Sequence, residues 1–170
     1  MQMPSKNSAL PLVVEQVTNN TTTWVGHRKS DNNTLISGQT FIAPKEADLD
    51  KIEVFSSVVT QPGKVVMTVH KFDQQQKSWG PALGSASLEL NKTDSDKWVG
   101  FHIPGLHLNS GQAYGFRLES ATALIGVGEA AGSHHHPPFV NGQEWKFTNK
   151  DEKGHSFSYF SLAFKVGLRA

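Results

Sequence analysis

Apolar and polar residues alternate along most of this chain, and no helical rhythm of i, i+3, i+4 and i+7 survives the Gly, Pro and β-branched interruptions. Ser85 to Leu90 puts Ala86, Leu88 and Leu90 on one face and Ser85, Ser87 and Glu89 on the other, as a strand with one wet face must. Lys97 to Ile103 offers Val99, Phe101 and Ile103 to an interior, Ala113 to Glu119 offers Tyr114, Phe116 and Leu118, and Ser161 to Leu168 offers Leu162, Phe164, Val166 and Leu168. Lys51 to Ser56 and Lys64 to His70 read as strands, joined across Gln61-Pro62-Gly63 in a hairpin. A second hairpin is expected at Asn141-Gly142, between Phe139-Val140 and Gln143 to Phe147, because this dipeptide tolerates the two positive φ angles of a type I′ turn. Weaker strand signals lie at Leu12 to Val17, Thr22 to Arg28, Gly38 to Ile42 and Leu124 to Val127. Pro44 to Leu49 fits either one helical turn or a loop.

About ten antiparallel strands at this spacing predict an all-β, jelly-roll β-sandwich, one domain over residues 11–170 behind a loose tail over residues 1–10. A chain of 170 residues buries enough surface to need no staple. Sixteen Lys and Arg against fifteen Asp and Glu leave a formal charge of +1, which argues against a nucleic-acid partner. Apolar runs such as Ala121 to Val127 fall well short of the roughly 20 residues of a spanning helix, so no membrane insertion is expected. Without cysteine there is no disulfide framework, thiolate nucleophile or thiolate-ligated metal. Residues 1–6 lack the apolar stretch of a signal peptide, and the expectation is a secreted or cell-surface protein whose export signal has been removed, with the cytoplasm as the other reading.

The order Gly38-Gln39-Thr40-Phe41-Ile42-Ala43, Leu49 to Val54, Gly111-Gln112-Ala113-Tyr114-Gly115-Phe116-Arg117-Leu118 and Leu162 to Val166 resembles bacterial jelly-roll accessory modules of galactose-binding-like and carbohydrate-binding-module type. The likeness spans roughly Gly38 to Val166; the polar first 35 residues and the His-rich segment near His134 depart from it. It implies a sandwich inside a larger, exported, multidomain parent protein. By the same resemblance a structural calcium is an expected accessory, with Asp48 and Asp50, Asp94 and Asp96, or Asp151 and Glu152 as the carboxylate pairs in connecting segments.

Sugar binding commonly sets an aromatic ring against a pyranose face while amides and other polar groups bond the hydroxyls. Trp79, between Gln74-Gln75-Gln76-Lys77-Ser78 and Gly80-Pro81, reads as lying in a polar connection and is the first candidate platform; Trp145 with Asn141 and Gln143 is the second. Trp98 is expected on an outer sheet face, and Trp24 in the core. Ser133-His134-His135-His136-Pro137-Pro138-Phe139 is the most unusual segment. His134 and His136 share a face of an extended run and make a candidate transition-metal pair if His155, His107 or Glu129 joins them; otherwise the loop binds such metals only weakly. Alternatively His136 and Phe139 flank a sugar site. No nucleophile elbow, phosphate-binding loop or His-Glu-x-x-His is present. The leading expectation is therefore a non-catalytic module for a polysaccharide or glycan, using Trp79, His136, Phe139, Asn141, Gln143 and Trp145 and needing no cofactor. Two alternatives stand beside it: a structural or adhesive sandwich without a small ligand, and a metal-dependent enzyme of cupin-like architecture centred on the His-rich loop.

Overall fold

The computed structural model describes residues 12–169; the expected tail over residues 1–10 lies outside them. The chain runs through β1 (Leu12–Gln16), β2 (Thr21–Arg28), β3 (Asn33–Ile42), β4 (Ala47–Gln61), β5 (Gly63–Asp73), β6 (Ser78–Leu90) and β7 (Lys97–His102). It continues through β8 (His107–Leu108), β9 (Ala113–Glu119), β10 (Leu124–Ala131), β11 (Glu144–Thr148), β12 (Asp151–Phe157), β13 (Phe160–Leu162) and β14 (Phe164–Arg169). One 3₁₀ turn at Lys92–Asp94 is the only helical element among the described residues, and residues 44–46 form a bend rather than a helical turn. The protein is an all-β sandwich, with more strands than the alternation alone resolves and with β4, β5 and β6 extending beyond the expected runs.

All the strands belong to one antiparallel sheet that curls into two layers. One layer is built on β4, whose fifteen residues take β14 and then β10 along one edge and β7 and β8 along the other. β1 extends it beyond β14, and β2 beyond β10. The second layer runs β12, β11, β3, β9, β5, β6. β2 joins the layers by pairing Gly26, His27 and Arg28 with the start of β3.

Between the layers lies one continuous core, fed by every second residue of each strand as the two-residue pleat requires. Phe41, Ile52, Val65, Met67, Val69, Phe116, Leu118, Val127, Leu162, Phe164 and Val166 are all fully buried there. At about 1.5–3 kcal/mol for each large side chain removed from water, this interior is the main stabilising term. The inward stripes expected on β6, β7, β9 and β14 all point into it.

Both expected hairpins are replaced by other connections. β4 and β5 are not paired with each other: after Gln61 opposite Leu124, Pro62 carries the chain across to the other layer, where Gly63 pairs with Leu90. Gly63 is there for close approach, since a Cβ on it would lie 2.4 Å from Thr122 Oγ1. Phe139 and Val140 are not in a strand, and neither Asn141 nor Gly142 takes positive φ. Gly142 instead lies against β3, where a Cβ would come 1.9 Å from the Thr40 carbonyl oxygen. The hairpin at this end is β11–β12, turning at Asn149-Lys150.

Gly80-Pro81 sits in a bulge of β6 opposite the stretch from His70 to Phe72, where the pairing shifts register. Proline lacks an N–H and is admitted to sheets at edges and bulges, and β6 is the last strand of its layer.

Gly26 is the most constrained backbone position. Its φ is +123° and a Cβ would lie 1.9 Å from the Ala123 carbonyl oxygen. Gly26→Ala is expected to cost about 3 kcal/mol or more, combining strain with steric conflict at the β2–β10 seam. Gly105→Ala, at φ +77° with nothing within 4 Å, provides the reference and is expected to cost about 1 kcal/mol. Urea midpoints at unchanged m-value measure both.

Candidate functional site

The loop of residues 132–143 lies across the ends of β3, β5 and β9 and, with the turn of residues 74–77 between β5 and β6, encloses a cavity of about 250 Å³. Its apolar floor is Ile42, Phe72, Ala113 and Phe139. Its polar rim carries Gln74, Lys77, Asn141, Gln143 and Ser158. Phe139 is anchored by an edge-to-face contact with core Phe164, ring centroids 5.2 Å apart. Gln143 is held at its backbone, donating its N–H to Thr40 Oγ1 at 2.9 Å and accepting from Thr40 N–H at 3.0 Å, so that the loop is fastened to β3. A second hollow of about 570 Å³ shares Phe72, Gln74 and Ala113 and adds Asp73, Gln75, Ser78 and Gln112. The two form a groove with an apolar bottom and amide-rich sides around the 74–77 turn.

Three of the expected binding residues, Phe139, Asn141 and Gln143, thus line one cavity. Trp79 and Trp145 do not. Trp79 is in β6 rather than in a connection, and its ring lies over β3 and β9, where Cβ atoms on Gly38 and Gly115 would meet it at 3.1 and 2.5 Å. Trp145 is 5% exposed, edge-on to Trp79 at 5.9 Å and stacked on Phe147 at 6.0 Å. With Phe72 and Ala113 these rings form a second, smaller apolar cluster on the outer face of the β11–β3–β9–β5 layer. The indole N–H groups of Trp79 and Trp145 are enclosed without acceptors. Neither ring is offered to solvent as a platform. Trp24, expected in the core, is 40% exposed, because Thr23 and Val25 take the inward positions of β2. Trp98 is on the outer face, edge-on to Phe55 and beneath the Lys165 ammonium at 4.3 Å.

The His-rich loop gathers no further metal ligands. His134 Nδ1 lies 2.9 Å from Ser158 Oγ with its ring against Tyr159, and His136 is exposed, its backbone N–H donating to Ser133 Oγ. The partners that a site at His134 and His136 would need are engaged elsewhere. His155 pairs with Asp151 at 2.8 Å, His107 lies between Asp48 and Glu46, which hold its proton more tightly than usual, and Glu129 is buried beside Lys146. Among the described residues no group of three or more His, Asp or Glu is placed to hold a metal. Of the carboxylates considered for calcium, Asp48 faces His107, Asp50 faces Arg169, Asp94 faces Lys97 and Asp151 faces His155.

One constellation went unread in the sequence. Glu129 of β10 and Glu144 of β11 are 3% and 0% exposed and face one another across the interior, with Lys146 Nζ 3.4 and 3.7 Å from their Oε2 atoms. Lys146 in turn lies over the rings of Phe160 and Phe157, at 5.0 and 5.6 Å. Burial, then the neighbouring Glu129, pushes the Glu144 carboxyl up to about 10, Lys146 acting in the opposite direction. Both Glu144 oxygens lack a protein donor, so a retained proton supplies the missing hydrogen bond to Glu129. Neither acid opens onto the groove. Alternation was the available signal: Glu144 and Lys146 fall on the inward side of a strand whose outward side is Trp145 and Phe147.

The sequence matches no protein-family model and no curated protein. Among solved structures, a clostridial cysteine protease, Cwp84 after propeptide cleavage, superposes with a TM-score of 0.61 at 9% identity, over 94% of this chain and 40% of that one. The cysteine protease and lectin-like domains of Cwp84, a surface layer associated protein of Clostridium difficile, superpose with a TM-score of 0.51 at 11% identity, over 82% and 32%. The likeness is one of fold. This chain spans well under half the length of either structure, and at such identity no functional residue transfers.

The acid pair fixes a pH dependence. Because Glu144 binds its proton more tightly folded than unfolded, the associated stability is complete below about pH 4.5 and declines as pH rises toward about 10. Glu144→Gln keeps a donor toward Glu129 without the ionisation. It is expected to raise Tm at pH 8 by about 2–8 °C, equivalent to about 1–2 kcal/mol, and to flatten the loss of Tm between pH 5 and 9, as read by calorimetry.

Proposed function

We propose that this domain is a non-catalytic carbohydrate-binding module, and that the groove between the 137–143 loop and the 74–77 turn takes the sugar. One observation carries the reading: a fixed apolar floor of Phe72, Ile42, Ala113 and Phe139 is bordered by the amides of Gln74, Asn141 and Gln143 and by Lys77. A pyranose ring has one face of C–H groups and an equatorial belt of hydroxyls. The floor matches the first, and side chains able both to donate and to accept match the second. Gln74 and Asn141 are exposed and the loop is fastened to β3, so the site needs little ordering before it binds.

The fold likeness to a protein with a lectin-like domain supports this reading, as does that protein's association with a surface layer, which fits a secreted or cell-surface role here. The binding unit would then act as one part of a larger exported protein. His136, on the same loop, does not line the groove.

A glycan array probed with wild-type protein, followed by calorimetric titration of the best saccharide, tests the proposal. Asn141→Ala and Gln143→Ala are each expected to weaken binding about 3- to 10-fold, the value of one or two net hydrogen bonds, with Tm unchanged for the exposed Asn141. Retention of no saccharide by wild type, or binding indifferent to both substitutions, sinks the reading.

A further inference from the structure

On the far side of the 74–77 turn a third hollow, of about 390 Å³, is lined by Gln76, Lys77, Ser78, Trp79, Arg117, Glu152 and Lys153. Arg117 is half-buried in it. The guanidinium sits in the corner made by two rings that meet at 78°, 4.6 Å from the centroid of Trp79 and 4.1 Å from that of Phe147. Contact with both rings restricts the side chain, so less rotamer freedom remains to be lost when an anion arrives. Arg117 has no carboxylate within ion-pair distance among the described residues, and its Nε is enclosed with no acceptor. Desolvation weakens its hold on the proton, and the charge of Glu119 on the same strand opposes this.

A half-buried guanidinium with an enclosed, unpartnered Nε and no ion-pair partner is costly to keep for packing alone, since an apolar side chain would fill the corner beside the rings without the charge. Lys77 and Lys153 are exposed at the mouth, against the single carboxylate of Glu152. Lys77 also lines the sugar groove, so the two sites share a wall and lie on either side of one short turn. An anionic substituent on a saccharide in the groove is therefore within the reach of a chain that continues past the turn.

We propose that Arg117, with Lys77 and Lys153, receives the carboxylate of an acidic sugar, making the ligand a uronate-containing polysaccharide. The inference rests on the carbohydrate reading above and adds the charge of the ligand to it. A carboxylate can meet the Nη edge of the guanidinium fork without displacing its contacts with Trp79 and Phe147, the enclosed Nε facing away.

The test pairs tetragalacturonate with its fully methyl-esterified form, which keeps the backbone and removes the charge. Titration calorimetry of wild type is expected to show the acid bound at least about 10-fold more tightly than the ester, with the preference shrinking in high salt. In ¹⁵N spectra the acid, and not the ester, is expected to shift the Arg117 Nε–H resonance. Arg117→Gln should abolish the preference. Should that variant fail to fold with Trp79 uncovered, Lys77→Gln combined with Lys153→Gln alters only exposed positions and is expected to reduce the preference about threefold or more. Equal affinity for acid and ester, or a preference that survives Arg117→Gln, overturns the inference; if Asn141→Ala still weakens both ligands, the carbohydrate reading stands without it. If the Arg117 resonance responds equally to sodium acetate and no saccharide binds more tightly than acetate, the uronate inference and the sugar groove fall together.

Discussion

Strands β3 and β9 are covered on both faces, and the outer cover depends on what their side chains leave out. On the inner side Phe41, Tyr114, Phe116 and Leu118 fill the main core. On the outer side Gly38 and Gly115 leave a flat strip of backbone, and the Trp79 ring occupies the space that two Cβ atoms would have taken. That ring then meets His70, Phe72, Trp145 and Phe147, all edge-on, and Arg117 from above. Edge-to-face contacts at 5.5–5.9 Å are each worth about 0.5–1.5 kcal/mol beyond burial, so the cluster is a directional lattice rather than a loose patch. It holds the base of the 74–77 turn, and that turn forms a wall of every cavity discussed here.

The interior is less uniform than the strand pattern implies. Glu129, Glu144 and Lys146 meet in a region otherwise made of β10, β11, β13 and their apolar side chains. Nearby, Gln39 accepts from the Leu162 N–H at 2.9 Å and donates to the Thr40 carbonyl oxygen, tying β3 to β13 through the core. Buried polar groups cost stability unless satisfied, and here satisfaction requires one proton held by two acids. They also penalise any register in which the acids would face one another without Lys146, which makes the seating of β11 against β3 specific.

Much of this was readable from two-residue alternation: the fold class, the inward residues of β6, β7, β9 and β14, and the outer position of Trp98. What alternation does not carry is which strands are neighbours. Pro62-Gly63 and Asn141-Gly142 have the composition of turns, yet each serves a close passage of backbone against another element, at Thr122 and at Thr40. A glycine required for lack of a side chain and one required for positive φ are identical in sequence. The tryptophans were misjudged for a related reason. Trp79 sits among polar residues, and only the two mid-strand glycines opposite it, remote in the chain, explain its burial; Trp24 looks like a core residue until Thr23 and Val25 are seen to hold the inward positions of β2. Phe139, Asn141 and Gln143 line one cavity, on a loop lashed to Thr40 instead of in a hairpin.

The bulge at Gly80-Pro81 reaches beyond the packing of Trp79. β6 ends its layer, and a long, regular terminal strand would present a ladder of free amides to any similar molecule. A proline without an N–H and a local kink break that ladder near its start. The break shortens the stretch of edge open to a neighbouring copy to residues 82–90.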